Sequence, residues 1–395
     1  MAQGIDQGAV TLAIDPFSSN AVENAVSVDK MIRDAGQLVW LDGYGMWASA
    51  NYETVKEILG DAERFSSAKR PFDHPEFPLP ALLVTDDPPS HGPLRTVVSR
   101  ILSPKYVRQF TDSFGDVAEA ITSNLAEDQT FDAVSELAIP YVLTAFGDVM
   151  GLTPDGREHL VPFGNAVLNS FGPANQSFLL STSQSVEASQ WVMQQCVSGK
   201  FRANSVGALL FEAADRGEIS HELAGMLMVV LLSAGVDTTV ALIANMLYGF
   251  SQFPLQWERL RNDPKLALGA FEETHRWYSP SRMFGRVAHC ETHVGGCRIK
   301  AGDNILLFVA ATGRDDAVWQ LPSEFDIGRM PGKHLSFGHG IHYCLGQMLA
   351  RAEVMALITA LSKVVHSIEP AGEPVILNSN TIQSFSSLPV SMKKG

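Results

Sequence analysis

The 395-residue sequence predicts a mainly α-helical fold with small β-sheets, built as one large domain over residues 1–395. Apolar residues recur at helical spacing over long stretches, which indicates helices with buried faces. Two shorter segments, 37–50 and 297–310, alternate around turns of glycine and aspartate and predict hairpins. No repeat, low-complexity segment or linker interrupts the chain, so a division into several domains is not expected.

The first hairpin is expected to turn at Asp42-Gly43 and to lead into a helix near 51–59, and the second to turn at Gly302-Asp303. The segment 221–250 is the longest helical stretch and is apolar on most sides, which predicts a buried helix. Pro280 ends the helix predicted at 264–277, because the residue before proline avoids helical angles. The other helices are expected at 108–126, 155–169, 185–198, 206–214, 254–260 and 264–277.

The composition and net charge of the chain argue against several classes of protein. Hydrophobic residues make up 46% and charged residues 18%, as in ordinary globular proteins, and the formal net charge of −14 argues against a nucleic-acid or anionic-membrane binder. We expect no apolar run long enough to span a bilayer and no signal peptide in the N-terminal residues. Four cysteines without framework spacing read as free thiols of a cytoplasmic protein.

One of these cysteines, Cys344, lies between a glycine-rich loop and an Ala/Leu-rich helical segment. A cysteine at a helix start meets unpaired backbone N–H groups and the positive end of the helix dipole, and both favour its thiolate. Gly338 and Gly340 would let the backbone approach the sulfur. These features point to a metal-bound thiolate, while two alternatives are a buried structural cysteine and a zinc site with His339 and His342.

The segment FGHGIHYCLG, residues 337–346, resembles the haem-binding loop of the cytochromes P450, Phe-Gly-x-Gly-x-His-x-Cys-x-Gly, at every fixed position. The resemblance implies a single haem-thiolate domain of the P450 fold that binds haem b (iron protoporphyrin IX). Cys344 would be the iron ligand, as thiolate is in this family. Phe337 would shield the sulfur, and Gly338 and Gly346 would complete the cofactor-binding loop.

Further residues match the family positions that bind the haem propionates. His342 belongs to the same loop, His91 and Arg95 form the family's His-x-x-x-Arg, and Arg286 follows Pro280 at the expected distance. An arginine suits a carboxylate because its planar fork donates two parallel hydrogen bonds. From the sequence alone, solvated surface charges are the alternative for each residue.

The segment EETHRW supplies Glu273 and Arg276, which resemble the family's Glu-x-x-Arg on a helix. One turn separates the two residues, so they can share a helix face. The alternative is a surface ion pair, which contributes little to stability. In the family the pair is buried and joined by a later arginine, for which Arg329 is the candidate, and its role is structural.

Inside the long apolar segment, residues 234–239 read AGVDTT, like the family's Ala-Gly-x-Asp-Thr-Thr. A buried acid and hydroxyl are costly there unless they have partners or a function. The resemblance implies that helix 221–250 is the oxygen-activating helix, with Thr238 and Asp237 delivering protons. A kinked core helix whose hydroxyls bond back to its own backbone is the structural alternative.

The activity implied by the resemblance is that of a monooxygenase that inserts one atom of O2 into a C–H bond, with hydroxylation or O-dealkylation as outcome. The chain shows no flavin or iron–sulfur motif, so the implied electron donor is a ferredoxin with its NAD(P)H-dependent ferredoxin reductase. Its docking face would include the acid-free segment 99–110, with Arg100, Lys105 and Arg108, and Arg351 further on. From the sequence alone, a solvated basic face is the alternative.

The implied substrate is a small aromatic molecule in a mostly apolar pocket. LNSFGPAN (168–175) is similar to members that oxidise para-substituted benzoates, but Val229-Val230 stands where those members have Arg-Ser. Lys69, Arg70 or Arg282 could replace that carboxylate anchor, and a neutral terpenoid, phenolic or alkylaromatic substrate is the alternative. The candidate pocket residues are Phe72, Leu168, Phe171, Phe178, Val230, Ser233, Ala234, Met283, Phe284 and Phe385.

Other protein classes fit the sequence less well. Peroxygenases and isomerases of the family often lack the acid–alcohol pair, which this chain keeps at Asp237 and Thr238. A gas or haem sensor would need a signalling domain, and none is visible.

Overall fold

A computed structural model describes residues 9–75, 77, 82–123, 130–329 and 332–394. Its α-helices are α1 (Ser19–Glu23), α2 (Ala25–Ala35), α3 (Tyr52–Gly60), α4 (His91–Ile101), α5 (Pro104–Val107), α6 (Thr111–Ser123), α7 (Ile139–Met150), α8 (Leu160–Asn169), α9 (Gln176–Gln184), α10 (Val186–Gln195), α11 (Val206–Asp215), α12 (His221–Gln252), α13 (Pro254–Asn262), α14 (Ala267–Trp277), α15 (Val309–Thr312) and α16 (Gln347–Val364). A π-helix, Ala133–Ala138, leads directly into α7.

The strands are β1 (Val10–Leu12), β2 (Val39–Leu41), β3 (Met46–Ser49), β4 (Phe65–Ser66), β5 (Thr130–Asp132), β6 (Phe284–Ala288), β7 (Thr292–Val294), β8 (Cys297–Ile299), β9 (Asn304–Leu307), β10 (Val365–Pro370), β11 (Val375–Ile376), β12 (Phe385–Ser387) and β13 (Pro389–Lys394). The largest sheet has the order β1-β2-β3-β9-β6-β4. A three-stranded sheet, β10-β13-β5, and two hairpins, β7-β8 and β11-β12, complete the described strands. The predicted fold class, mainly α with small sheets, is confirmed.

The two predicted hairpins have different outcomes. The first is confirmed, because β2 pairs antiparallel with β3. The second prediction is wrong, because the strands on either side of its turn, β8 and β9, do not pair with each other. Instead, β8 pairs with β7, and β9 pairs with β6 and β3 in the large sheet. Gly302, at a φ of +87°, makes a turn of the predicted kind, but the strands on its two sides belong to different sheets.

The 32-residue helix α12 is the centre of the fold, as its apolar sequence predicts. The Ser220 side chain caps its first turn by accepting a hydrogen bond from the Leu223 N–H. The helices α7, α8, α11, α14 and α16 all contact it. By length and composition, α12 and the 133–150 helix could each cross a membrane, so the expectation of no such run is wrong; both candidate segments are more than half buried within the protein.

Most predicted helices are present with shifted ends. The segment 108–126 begins earlier, as α5 and a 3₁₀ turn before α6. The helix predicted at 264–277 is α14, which ends at Trp277, before Pro280. The sequence reading gave no bounds for α2, α7, α9 or α16, although α16 is the helix expected after the cysteine loop.

Candidate functional site

The loop before α16 carries Cys344 and folds back on itself. The Cys344 N–H donates to the Phe337 carbonyl oxygen at 2.9 Å, and the Gly338 N–H donates to the Leu335 oxygen at 2.8 Å. Gly338 and Gly340 have φ values of +74° and +72°, a left-handed conformation that other residues rarely adopt. A Cβ on Gly340 would also lie 2.8 Å from the Leu59 oxygen. Both glycines are therefore required by the loop itself.

The structure corrects the expected electrostatics of Cys344. Helix α16 begins at Gln347, so the cysteine precedes the first turn instead of opening it. Burial raises the pKa of the Cys344 thiol, while hydrogen bonds from the Gly346 and Gln347 N–H groups and the charge of Arg95 act in the opposite direction. These donors suit a thiolate, but only a bound cation would outweigh the burial.

The buried side chain of His275, for which the sequence predicted no role, contacts this loop at Ser336 and Phe337. His275 Nδ1 lies 2.9 Å from Ser336 Oγ, and its ring centroid lies 4.2 Å from that of Phe337. Ser336 is also bonded to Ser279, at 2.6 Å. Phe337 itself is buried and lines the same cavity as the cysteine. His275 lies between Glu273 and Arg276, and the Glu-x-x-Arg pattern assigns no role to this position.

Four basic side chains converge beside the loop. The rings of His91 and His342 lie 4.6 Å apart, and their buried Nε2 atoms find no hydrogen-bond partner in the described part of the chain. Arg286 is buried and donates only to its neighbour's carbonyl, that of Gly285, at 2.8 Å. Arg95 donates to the Tyr343 carbonyl. Among the described residues this cluster has donors in excess and no acid bonded to them.

The pKa values also indicate that this cluster has positive charge and hydrogen-bond donors without a matching acid. Burial, followed by the charges of Arg286 and His91, lowers the pKa of His342 to about 3. Burial lowers the pKa of Arg286 to about 10 and that of Arg95 to a smaller extent. Two carboxylates would supply the missing acceptors and the missing negative charge. The cluster therefore fits the propionates of haem b, whose iron would stand at Cys344.

On α12, the carboxyl of Asp237 and the hydroxyl of Thr238 face different sides. Thr238 lines the cavity, and its Oγ1 donates to the Ala234 carbonyl at 2.8 Å, as the back-bonding alternative expected. Asp237 points to α8, where a Cβ on Gly164 would lie 3.1 Å from its Oδ2. Among the described residues that oxygen has no hydrogen-bond partner, and burial raises the pKa of the carboxyl well above its ordinary value. Burial therefore disfavours the charged form of this acid, which precedes Thr238 in the chain.

Glu273 and Arg276 form a buried pair with two contacts of 2.7 Å each. Arg276 also donates to the carbonyls of Gly313, Pro322 and Glu324, at 2.6–2.9 Å. Arg329 Nε lies 3.3 Å from Glu273. The predicted three residues are thus brought together at the end of α14 and tie the following loop to it.

A cavity of about 310 Å³ lies between the cysteine loop and α12. Twelve of the predicted site residues line it: Arg95, Leu168, Val230, Ala234, Thr238, Phe284, Arg286, Phe337, Gly338, His342, Cys344 and Gly346. Leu83, Val84 and Leu231, which the sequence did not indicate, add aliphatic surface to the cavity. Its lining is therefore more aliphatic than the expected aromatic pocket.

The other predicted pocket residues do not line this cavity. Phe72 packs edge-to-face against Phe17 and Tyr44, and Met283 is buried in the same cluster near the large sheet. Phe385 packs on Tyr248 and Tyr278. The remaining three are placed as follows: Phe171 is half-buried against the main core, Phe178 stacks on His74, and Ser233 Oγ donates to the Val230 carbonyl at 2.9 Å.

The three candidate carboxylate anchors differ sharply. Arg282 is excluded, because its guanidinium is buried, paired with Asp29 at 2.9 Å and bonded to the Pro16 carbonyl at 2.6 Å. Lys69 is exposed. Arg70 pairs with Asp73 at 2.8 Å through one nitrogen, but within the part of the chain that the structure describes its buried Nη1 has no partner.

Glu353 on α16 is a second functional candidate that sequence reasoning missed. Its side chain lines the cavity, is 1% exposed and leaves Oε1 without a partner. Burial raises the pKa of this carboxyl well above its ordinary value. The sequence carried no signal for it, since an Arg-Ala-Glu segment on a helix reads as solvent-facing.

Comparison with known proteins agrees with this site. The sequence model of the family described as Cytochrome P450 matches residues 193–389. The chain is 36% identical to cytochrome P450 CYP199A2 of Rhodopseudomonas palustris over 98% of its own length and 95% of that protein. It is 30% identical to the putative cytochrome P450 YjiB of Bacillus subtilis over 80% of its length and 81% of that protein.

Solved structures show the same similarity. Cytochrome P450 CYP109Q5 from Chondromyces apiculatus superposes with a TM-score of 0.82 at 26% identity, over 97% of this chain and 98% of that one. P450BioI, solved with an acyl carrier protein ligated to hexadec-9Z-enoic acid, gives a TM-score of 0.84 at 25% identity, over 95% and 100%. The chain is a member of the cytochrome P450 family, a haem b monooxygenase that acts on a small molecule with O2 and a redox partner.

Proposed function

We propose that this P450 oxidises a small, largely apolar aromatic molecule held over Thr238, by hydroxylation or O-dealkylation, with electrons from a ferredoxin. The observation that carries the substrate class is the lining of the cavity that holds Ala234 and Thr238. This wall is mostly aliphatic and includes the rings of Phe146 and Phe284; its aliphatic residues include Leu83, Val84, Leu168, Val230 and Leu231. Such a wall binds by apolar contact and shape.

The residues of the chain have separate tasks in this proposal. When bound, haem supplies the activation of O2 and the oxidation of the C–H bond. Cys344 holds its iron, and His91, Arg95, Arg286 and His342 hold its propionates. The small side chain of Ala234 leaves space beside α12, and the carboxyl of Asp237, whose pKa is raised by burial, is the proton source for the Thr238 hydroxyl.

An aromatic acid is the second candidate substrate, because a buried nitrogen of Arg70 has no hydrogen-bond partner among the described residues. Its guanidinium belongs to the loop whose Pro71 lies against Gly285, next to the cavity residues Phe284 and Arg286. A carboxylate reaching this nitrogen would gain a charge-assisted hydrogen bond. Arg70 is the one remaining arginine of the three candidate anchors.

The spin-state change of the ferric holoprotein distinguishes the two substrates. We would titrate 4-methoxybenzoate against methyl 4-methoxybenzoate, which has the same ring and ether but no charge. Tighter binding of the ester supports the neutral substrate. Tighter binding of the acid, lost in Arg70→Gln and kept in Lys69→Gln, supports the acid. No spin change with either compound, or with phenols and alkylbenzenes, would contradict an aromatic substrate.

For the ferredoxin we propose docking on the segment from α4 to α6. Lys105 and Arg108 are exposed there, whereas Arg100 is paired with Glu218 and Arg351 with Glu272. The paired residues therefore offer less charge to a partner than the sequence suggested.

Opposite charges speed association in a salt-dependent manner, so reversing Lys105 and Arg108 to Glu should raise the ferredoxin KM and weaken its dependence on ionic strength. Peroxide-driven turnover should be unchanged. Lys265→Glu, which reverses an exposed charge outside these segments, is the control. Equal responses of the double variant and this control would show that the ferredoxin docks elsewhere.

A further inference from the structure

A buried amide network joins the turn after α8 to the C-terminal loop. Asn380 is 1% exposed, and its Nδ2 donates to the carbonyls of Asn169 and Pro173, at 2.9 and 3.2 Å. Its backbone N–H donates to Asn169 Oδ1 at 2.8 Å, and its Oδ1 accepts from Asn175 at 2.8 Å. Every hydrogen-bonding group of the Asn380 amide is thus used between these two segments, which lie more than 200 residues apart in the sequence.

The two segments also fit too closely for any larger side chain. A Cβ on Gly172 would lie 2.4 Å from the Cβ of Asn380. On its other side, the turn is held by His74, whose Nε2 lies 2.8 Å from the Gly172 carbonyl oxygen. The His74 ring stacks on Phe178 of α9, with centroids 4.0 Å apart. Contacts with Asn380 on one side and with His74 on the other therefore restrict the position of the turn at Gly172.

This network ends at a residue of the haem cavity. Leu168 lines the cavity, and its carbonyl accepts a hydrogen bond of 2.9 Å from Thr381 Oγ1. The next residue is Asn169, the direct partner of Asn380. Neither Asn380 nor Thr381 lines the cavity, so neither would touch a ligand in it.

We propose that Asn380 and Thr381 are positioning residues that hold Leu168 over the cavity and so select ligands by size. A ligand that reaches Leu168 binds against a preformed wall and does not have to order it, which strengthens binding. A ligand too small to reach Leu168 gains nothing from the network. The inference rests on a ligand bound over Thr238, as in the proposed function, but not on the chemical identity of the substrate.

The test uses two azoles that bind the iron of the ferric holoprotein from the cavity side. Imidazole is too small to reach Leu168, whereas 4-phenylimidazole carries a ring into the space beside α12. For Asn380→Ala we expect about fivefold weaker binding of 4-phenylimidazole, the equivalent of one hydrogen bond of net stabilisation. Imidazole affinity should stay within about twofold. Asn378→Ala, which removes an exposed amide two residues earlier, should change neither affinity.

The milder variant Thr381→Val removes the hydroxyl that bonds Leu168 but keeps the side-chain shape, and it should weaken 4-phenylimidazole selectively even if Asn380→Ala fails to fold. Leu168→Ala should have the same selective effect. Combining it with Thr381→Val should add little, because Thr381 acts through Leu168.

Two results would overturn the proposal. One is an equal loss of affinity for both azoles, which a merely structural role predicts. The other is a double variant whose losses multiply. Neither readout uses the substrate, so failure of every aromatic compound in the spin-state titration would leave this test intact.

Discussion

Replacing Glu273 by alanine should destabilise the protein more than most single substitutions, because it leaves a charge buried without its partner. Glu273 is 3% and Arg276 1% exposed. The substitution removes both contacts of 2.7 Å from the Arg276 guanidinium, the acceptor of the Asp326 N–H and the neighbour of Arg329. Three backbone carbonyls remain to hold Arg276, so its hydrogen bonds are only partly lost.

The magnitude follows from these contacts. A hydrogen bond to a charged group contributes about 1.5–3 kcal/mol, and breaking a buried ion pair from one side costs about 3–5 kcal/mol. Since whole domains are stable by only about 5–15 kcal/mol, we expect the free energy of unfolding to fall by about 3–5 kcal/mol. Much of the protein should then be recovered without haem.

The measurement is urea unfolding of the holoprotein at one fixed haem concentration, since ligand binding adds to the apparent stability. The control is Glu119→Ala. Glu119 pairs with Lys363 at 3.1 Å, but their side chains are 64% and 61% exposed, so its loss should be below about 1 kcal/mol. A Glu273→Ala protein as stable as this control, with full haem content, would refute the reasoning.

Two further substitutions test the site. Arg286→Gln should speed the transfer of haem to an acceptor apoprotein, because it removes the more buried of the two arginines in the propionate cluster; an unchanged transfer rate would place the propionates elsewhere. Asp237→Asn should slow turnover while keeping or raising the melting temperature at neutral pH. The folded carboxyl has a raised pKa, so its protonated form favours folding at low pH and that contribution is lost as pH rises through the folded pKa; the amide removes the dependence. A melting temperature lowered at neutral pH would contradict this.

Local motifs made the core of the site predictable. Cys344 and Phe337 lie within one ten-residue loop, and Glu273 and Arg276 lie one helical turn apart, so spacing alone sets their relation. The loop needs the left-handed Gly338 and Gly340 to close, which is why these glycines stand at fixed positions.

Long-range pairing was not predictable in the same way. Arg282 looked free in the sequence, but its partner Asp29 lies 253 residues away on α2. Likewise, the turn at Gly302 indicated a hairpin, although β8 and β9 find partners in different sheets. A turn sequence predicts where the chain changes direction, but it does not predict which strand will pair with the strands on either side of the turn.

The substrate pocket illustrates a third limit. Phe72 and Phe385 are as apolar as Leu168, and each is satisfied by packing on other aromatic rings away from the cavity. Burial is favourable in either place, so hydrophobicity cannot tell a pocket residue from a core residue. Aliphatic residues such as Leu83 and Val84 line the cavity without any sequence signal.

The proposal that Cys344 holds the haem iron as a thiolate is tested most directly by the absorption spectrum of the reduced protein with carbon monoxide. The account predicts the red-shifted Soret band of thiolate ligation in the wild type, and its complete loss in Cys344→Ala. Cys196→Ala, which replaces a buried thiol outside the cavity, should keep the band. A Cys344→Ala protein that retains the red-shifted band would contradict the account.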